Sequence, residues 1–134
     1  MPFVLDNSVV AGWFLDDQAS PYTDAIALRL EEDRAVVPAL WQLEFANVLR
    51  TACRRKRLTA EQAQQVIEQI CGLPIDIEPA TPRPSELLAL ALRYDLSSYD
   101  AAYLELALRL QIPIATQDGP LRTAAEASGV GVRT

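Results

Sequence analysis

The chain contains no histidine and only one lysine, Lys56. Without histidine, Ser-His-Asp triads, imidazole general bases and histidine-ligated metals all drop out of the possible chemistries. Any catalysis must therefore use carboxylates, hydroxyls or a metal. Cysteine is limited to Cys53 and Cys71. They fall in separate helical segments without CxxC spacing, so neither a disulfide framework nor a zinc site is expected, and a reducing cytosol suits the chain. No apolar run is long enough to cross a bilayer, and Met1-Pro2-Phe3 lacks a basic leader region. A soluble, non-exported, cytoplasmic protein without membrane contact is the expectation. Positive charge is scarce too: 12 Lys and Arg against 18 Asp and Glu give a net charge of -6. That balance opposes strong non-specific binding to nucleic acid unless bound metal neutralises some of the acids.

What the chain does have is apolar bulk. Its 134 residues, 50% hydrophobic, predict one globular domain spanning 1–134 with no linker, repeat or low-complexity segment. Phe3-Val4-Leu5 reads as a strand ending at Asp6-Asn7-Ser8, with a short helix over Val9 to Leu15. Ser20-Pro21 starts a helix with proline in its first turn, and Ala35-Val36-Val37 is a second strand. From Pro38 a long helix carries Trp41, Phe45, Val48, Leu49 and Ala52 at helical spacing. Thr59 with Gln62 is a capping box for the next helix, which stops at Gly72. Ile75-Asp76-Ile77, between prolines, alternates like an edge strand. Glu86 to Leu92 predicts another buried helix, and Ser97 opens the most apolar one. Ile112 to Thr116 is a strand ending at Gln117-Asp118, Leu121 to Ala127 a last helix, and Val130 to Val132 a possible last strand. This alternation predicts a mostly parallel sheet covered on both faces, with ligands beyond the C-terminal strand ends.

Four acids stand in otherwise apolar segments: Asp6, Glu44, Asp100 and Asp118. Each has an ordinary structural explanation. Asp100, three residues after Ser97, fits a capping box; Asp118 before Gly119-Pro120 fits a helix N-cap; Asp6-Asn7-Ser8 fits a turn. Glu44 is the hardest to explain in this way, because no basic residue lies within a helical turn of it and lone buried glutamates are rare. Gathered together, such carboxylates repel one another and would hold protons near neutral pH unless a hard cation neutralised them. All-oxygen ligation points to Mg2+ or Mn2+, which could orient a water for in-line displacement at phosphorus. Ser8, Asn47 and Thr116 are candidates for orienting the carboxylates, with ordinary turn or helix-surface roles as the alternative. The basic run from Arg54 to Arg57 reads as a solvated helix end rather than an RNA track.

The order of these motifs resembles the PIN-domain ribonucleases, and within them the VapC-like toxins of type II toxin-antitoxin systems. Asp6-Asn7-Ser8-Val9 is similar to the family's opening Asp-x-Ser motif. Glu44-Phe45-Ala46-Asn47-Val48-Leu49 is similar to its glutamate helix, Tyr99-Asp100-Ala101-Ala102-Tyr103 to its third acidic motif, and Thr116-Gln117-Asp118 to its fourth. The resemblance runs nearly end to end. It implies a PIN-like three-layer α/β/α fold and a metal-dependent endoribonuclease. Asp6, Glu44, Asp100 and Asp118 would be its catalytic and metal-binding carboxylates. It further implies RNA as substrate, a cognate antitoxin, a homodimer and larger toxin-antitoxin assemblies. After the fourth motif, where the family commonly carries a further charged residue, this chain has Gly119-Pro120-Leu121.

Two other readings compete. A phosphatase forming an aspartyl-phosphate on Asp6 would expect a second aspartate where Ser8 stands, and Lys56 is the sole lysine, at a helix end. A non-catalytic PIN-like or receiver-like module would bind a protein without binding divalent ions.

Overall fold

The computed structural model describes residues 1–134. Its centre is a parallel four-stranded sheet in the order β3-β2-β1-β4, built from β1 (Phe3–Leu5), β2 (Ala35–Pro38), β3 (Ile75–Glu78) and β4 (Ile114–Ala115). Seven helices flank it: α1 (Asn7–Ala11), α2 (Pro21–Arg29), α3 (Leu40–Arg54), α4 (Ala60–Cys71), α5 (Pro84–Tyr94), α6 (Ser98–Leu110) and α7 (Gly119–Ser128). The result is the three-layer α/β/α arrangement expected from the alternation of strands and helices.

β1 lies inside the sheet and is covered on both faces, so Phe3, Val4 and Leu5 are all fully buried and the strand reads as a continuous apolar run rather than an alternation. It pairs in register with β2 (Val4 with Val36) and with β4 (Val4 with Ile114, Leu5 with Ala115). β3 is the edge, as its flanking prolines suggest, and Asp76 on it is held by Arg34 through two bonds of 2.7 and 2.9 Å. α6 packs against the sheet with Ala101, Ala102, Tyr103, Leu104, Leu106 and Ala107 buried. Its Glu105 and Arg109 pair at 2.8 Å, with the Glu105 side chain mostly covered.

Several helix starts follow their sequence signals. Ser20 and Thr59 each form a full capping box, with Thr23 and Gln62 respectively. Other boundaries shift. Pro38 ends β2 instead of opening α3, which begins at Leu40. The first helix stops at Ala11, and a single 3-10 turn follows over Asp16–Gln18. The last strand is reduced to one bridge between Val132 and Ile114. The clearest departure is α5, expected to be buried: none of its residues is, and Leu88 and Leu92 are 59% and 75% exposed. Its leucines satisfy helical periodicity but meet α6 along only part of their face, which periodicity alone cannot distinguish from full burial. No helix is long and apolar enough to cross a membrane.

Gly12, at the end of α1, meets α2 closely. A Cβ there would fall 2.6 Å from Thr23 Cγ2 and 2.9 Å from the Gln18 carbonyl oxygen. Its φ of -65° is ordinary, so the requirement is for space and not for backbone freedom. Gly12→Ala is expected to lower stability by about 1–3 kcal/mol, read as a shift of the urea midpoint at unchanged slope.

Candidate active site

The order of the strands fixes where the site forms. β2 and β3 extend the sheet on one side of β1, and β4 closes the other, so the crevice past the C-terminal ends of β1 and β4 is where the winding reverses. Leu5 and Ala115 are register partners, so the residues that follow them, Asp6 and Thr116, emerge side by side. The backbone N–H of Asp6 bonds to the Ala115 carbonyl at 2.9 Å. Thr116 then donates its hydroxyl to Asp6 Oδ2 at 2.6 Å, and Ser8 donates to the same oxygen at 2.7 Å. Each hydroxyl has one hydrogen. The 3.3 Å approach between Ser8 Oγ and Thr116 Oγ1 is therefore a contact between two groups already committed to Asp6.

Those hydroxyls are themselves fixed by backbone. Gln117 N–H donates to Ser8 Oγ at 2.9 Å, and Asp118 N–H donates to Thr116 Oγ1 at 3.0 Å. The loop after β4 and the start of α1 thus lock one another, and both orient Asp6. Gln117 adds to this: its amide Nε2 reaches the Ser8 and Gln18 carbonyls at 3.0 and 2.9 Å, and its oxygen accepts from Ser20 Oγ at 2.8 Å. Arg122 donates to the Thr116 carbonyl at 3.0 Å. Sequence reasoning gave neither Gln117 nor Arg122 a part. Gln117 had a signal, its place between two motif residues, whereas Arg122 reaches the loop only through the turn of α7.

The remaining acids arrive from helices. Asp118 is the N-cap of α7, its Oδ2 accepting the Leu121 N–H at 3.0 Å; its structural and chemical readings hold together, since one oxygen suffices for the cap. Asp100 lies in the first turn of α6. Ser97 caps that helix through the Asp100 N–H at 3.1 Å, but no reciprocal bond completes a capping box, so the carboxylate is not tied up as the box would require. Glu44, on α3, accepts the Tyr103 hydroxyl at 2.5 Å. Tyr103 is a site residue that the sequence placed only within a motif; its spacing of three from Asp100 puts both on one side of α6. Asn47 is exposed on α3 and bonds to none of these carboxylates, lining instead a groove beside Ser8. Exposed to solvent and bonded to none of them, it does not orient the acids in the way expected of it.

The electrostatics show that the four acids sense one another. Burial raises Asp6 above the ordinary carboxylate range, opposed by the bonds from Thr116 and Ser8 and assisted by the charge of Asp118. Asp100 is pushed up to about 6, by burial first and then by Asp118, Asp6 and Glu44. Glu44 is raised by burial, with the Tyr103 bond opposing and Asp6 adding to the rise. Tyr103 is raised as well, chiefly by burial and then by these carboxylates, and so remains a protonated donor. None of the four acids takes part in a salt bridge.

An all-oxygen, uncompensated donor set fits a hard divalent cation. No three acidic side chains converge closely enough to enclose an ion by themselves. This suits an ion held by one or two carboxylates that keeps several waters, as Mg2+ commonly does, and not a closed protein cage. Asp6, Asp100, Asp118 and Glu44 are the side chains available to hold it.

Because Asp100 has its pKa raised in the folded state, it favours folding below about pH 4 and loses that contribution as pH rises through about 6. In EDTA, Asp100→Asn is therefore expected to stabilise the protein at pH 7.5, by no more than about 1–2 kcal/mol once partial solvent screening is allowed for. The gain should shrink toward pH 5, as followed by urea denaturation at both pH values.

Comparison with known proteins agrees with this geometry. A sequence model of the PIN domain matches residues 3–127. Ribonuclease VapC1 of Mycobacterium tuberculosis is 32% identical over 123 residues, covering 90% of this chain and 92% of that protein. Ribonuclease VapC12 of the same organism is 30% identical over 118 residues, 88% of each. The crystal structure of PAE2754 from Pyrobaculum aerophilum superposes with a TM-score of 0.74 over 94% of this chain and 86% of that one; at 18% identity it speaks for the fold. With the match covering nearly the whole chain and its four acidic motifs lying at one end of the sheet, this protein belongs to the PIN domain family, among the VapC-like ribonucleases.

Proposed function

We propose that this chain, a single PIN domain over residues 1–134, is a metal-dependent endoribonuclease that hydrolyses RNA phosphodiester bonds as the toxin of a toxin-antitoxin pair. The observation that carries the reading is that Asp6, Glu44, Asp100 and Asp118 stand near enough at one end of the sheet for Asp100 to be driven up to about 6 by burial and the other three charges. Its relatives in Mycobacterium tuberculosis bear the name ribonuclease.

One or two of Asp6, Asp100 and Glu44 at a time would hold the ion, Mg2+ or Mn2+, with Asp118 beside them. A divalent cation bound there supplies Lewis-acid stabilisation of charge at phosphorus and a more acidic water. The chain's own groups do the positioning. Ser8 and Thr116 fasten Asp6 through Oδ2 and leave Oδ1 without a side-chain partner. Tyr103 directs one oxygen of Glu44. Asp118 presents the carboxylate oxygen that its cap does not use.

The same reading includes the homodimer and the antitoxin. The uncovered leucines of α5 support a second copy as the partner of that face. The uncompensated acids support an antitoxin that inserts a basic side chain.

Structured RNAs incubated with Mg2+ or Mn2+ should be cut at internal positions. EDTA should abolish the cutting, and Asp100→Asn should reduce it to background. Thr116→Val, which removes only a hydroxyl that orients Asp6, is expected to cost about 10–100-fold in rate. Cleavage that persists in both EDTA and Asp100→Asn would overturn the proposal.

A further inference from the structure

Beside the acidic pocket runs a groove of about 290 Å³ with Asn7 and Ser8 at one end and Asn47, Thr51 and Arg55 along α3. A second cleft of about 300 Å³ continues it, lined only by Arg50, Thr51, Arg54 and Arg55. Thr51 and Arg55 belong to both. The two clefts therefore form one path that starts at Ser8, which bonds Asp6, passes the apolar side chains of Leu15 and Val48, and ends among guanidinium groups.

The charges along this path are unevenly committed. Arg57 is paired with Asp17 at 2.6 Å across the groove's mouth, so the one carboxylate of the lining is already neutralised. Arg50, Arg54 and Arg55 have no carboxylate partner. In a chain of net charge -6, three unpaired arginines around one cleft are a local reversal of sign. A helix C-terminus favours cations in its last turn, which accounts for Arg54 and Arg55 but not for Arg50 a turn earlier. Asn7 adds a second sign of a ligand: it is buried, and its side-chain oxygen, an acceptor, has no hydrogen-bond partner, which a donor such as a ribose hydroxyl would supply and a phosphate would not. An amide in that condition is costly unless a ligand or water completes it.

We propose that this path is the subsite for the backbone phosphates of single-stranded RNA flanking the scissile bond, with Arg55 the principal phosphate contact and Arg50 and Arg54 extending it. The proposal rests on the ribonuclease reading above. Glu44, Asn47, Thr51 and Arg55 succeed one another along one side of α3, and 11 residues at 1.5 Å each place Arg55 about 16 Å from Glu44. That is room for several nucleotides outside the reacting phosphate. Arginine suits phosphate through its forked donors, and Asn47 and Thr51 add neutral donors that tolerate any sequence. The acidic pocket and the arginine cleft thus divide the work: one end acts on a phosphate, the other holds its neighbours.

The test is fluorescence anisotropy of a labelled single-stranded RNA dodecamer bound to the full chain carrying Asp100→Asn, in EDTA, over a range of salt. Arg55→Ala should flatten the plot of log affinity against log salt by about 0.7, and the triple Arg50, Arg54, Arg55→Ala variant by about 2. Arg93→Ala, at an exposed arginine on α5, should leave the slope unchanged. In the chain without Asp100→Asn and with Mg2+, Arg55→Ala should raise KM for the dodecamer with kcat unchanged, and should not alter dinucleotide cleavage. Slopes for all variants equal to that of Arg93→Ala would overturn the subsite while leaving cleavage intact, and would point to a protein as the occupant of the clefts. Slopes that fall as expected in a protein that cuts no RNA would sink the ribonuclease reading but keep the subsite.

Discussion

Mutual repulsion among carboxylates at one end of the sheet is the constraint that the rest of the molecule must withstand. Asp6 is almost fully buried, at the tip of the strand with the most complete apolar cover, and three other acids raise or share its field. Nothing in the pocket is cationic enough to cancel them. What holds them is the packing of β1, β4 and α6, whose fully buried Phe3, Leu5, Ile114, Tyr103 and Leu104 bring the charged ends together. Their burial releases free energy on the order of 1.5–3 kcal/mol per large side chain, enough to offset a strained pocket. Stability and reactivity are thus separated by a single residue step, from Leu5 to Asp6 and from Ala115 to Thr116.

Much of this could be read in the chain before its coordinates, and the reason is local. A parallel strand buried on both faces leaves an apolar run, a helix start leaves a capping pair, and a charge in an apolar segment stands out. Phe3-Val4-Leu5-Asp6 carries the first and third of these, and Thr59 with Gln62 the second. What sequence could not supply was the far side of each contact. Leucines of α5 keep the same period whether covered or open, so its exposure was invisible. Asn47 shares a helix side with Glu44 but bonds to none of the carboxylates. Tyr103 and Gln117 stand inside two of the motifs, but the bond of Tyr103 to Glu44 and those of Gln117 to Ser8, Gln18 and Ser20 join segments far apart in the chain.

The surface has a polarity that net charge conceals. A count of -6 averages an acidic pocket with a wall of arginines on the second half of α3, and a groove bounded by Ser8 lies between them. Averages of this kind mislead whenever a small protein must repel its product and hold its substrate on the same face. Local sign, not total charge, decides which phosphate goes where.

The bond from Thr116 to Asp6 spans 110 positions of the chain. During synthesis the first strand leaves the ribosome long before its hydroxyl partner has been made, and parallel pairing of such distant segments is slow in any case. Asp6 therefore has only the nearby Ser8 to direct it until β4 emerges and pairs beside it. For a ribonuclease, vectorial growth has a consequence: a chain stopped before β4 lacks both the Thr116 hydroxyl that fixes Asp6 and the Asp118 carboxylate beside it.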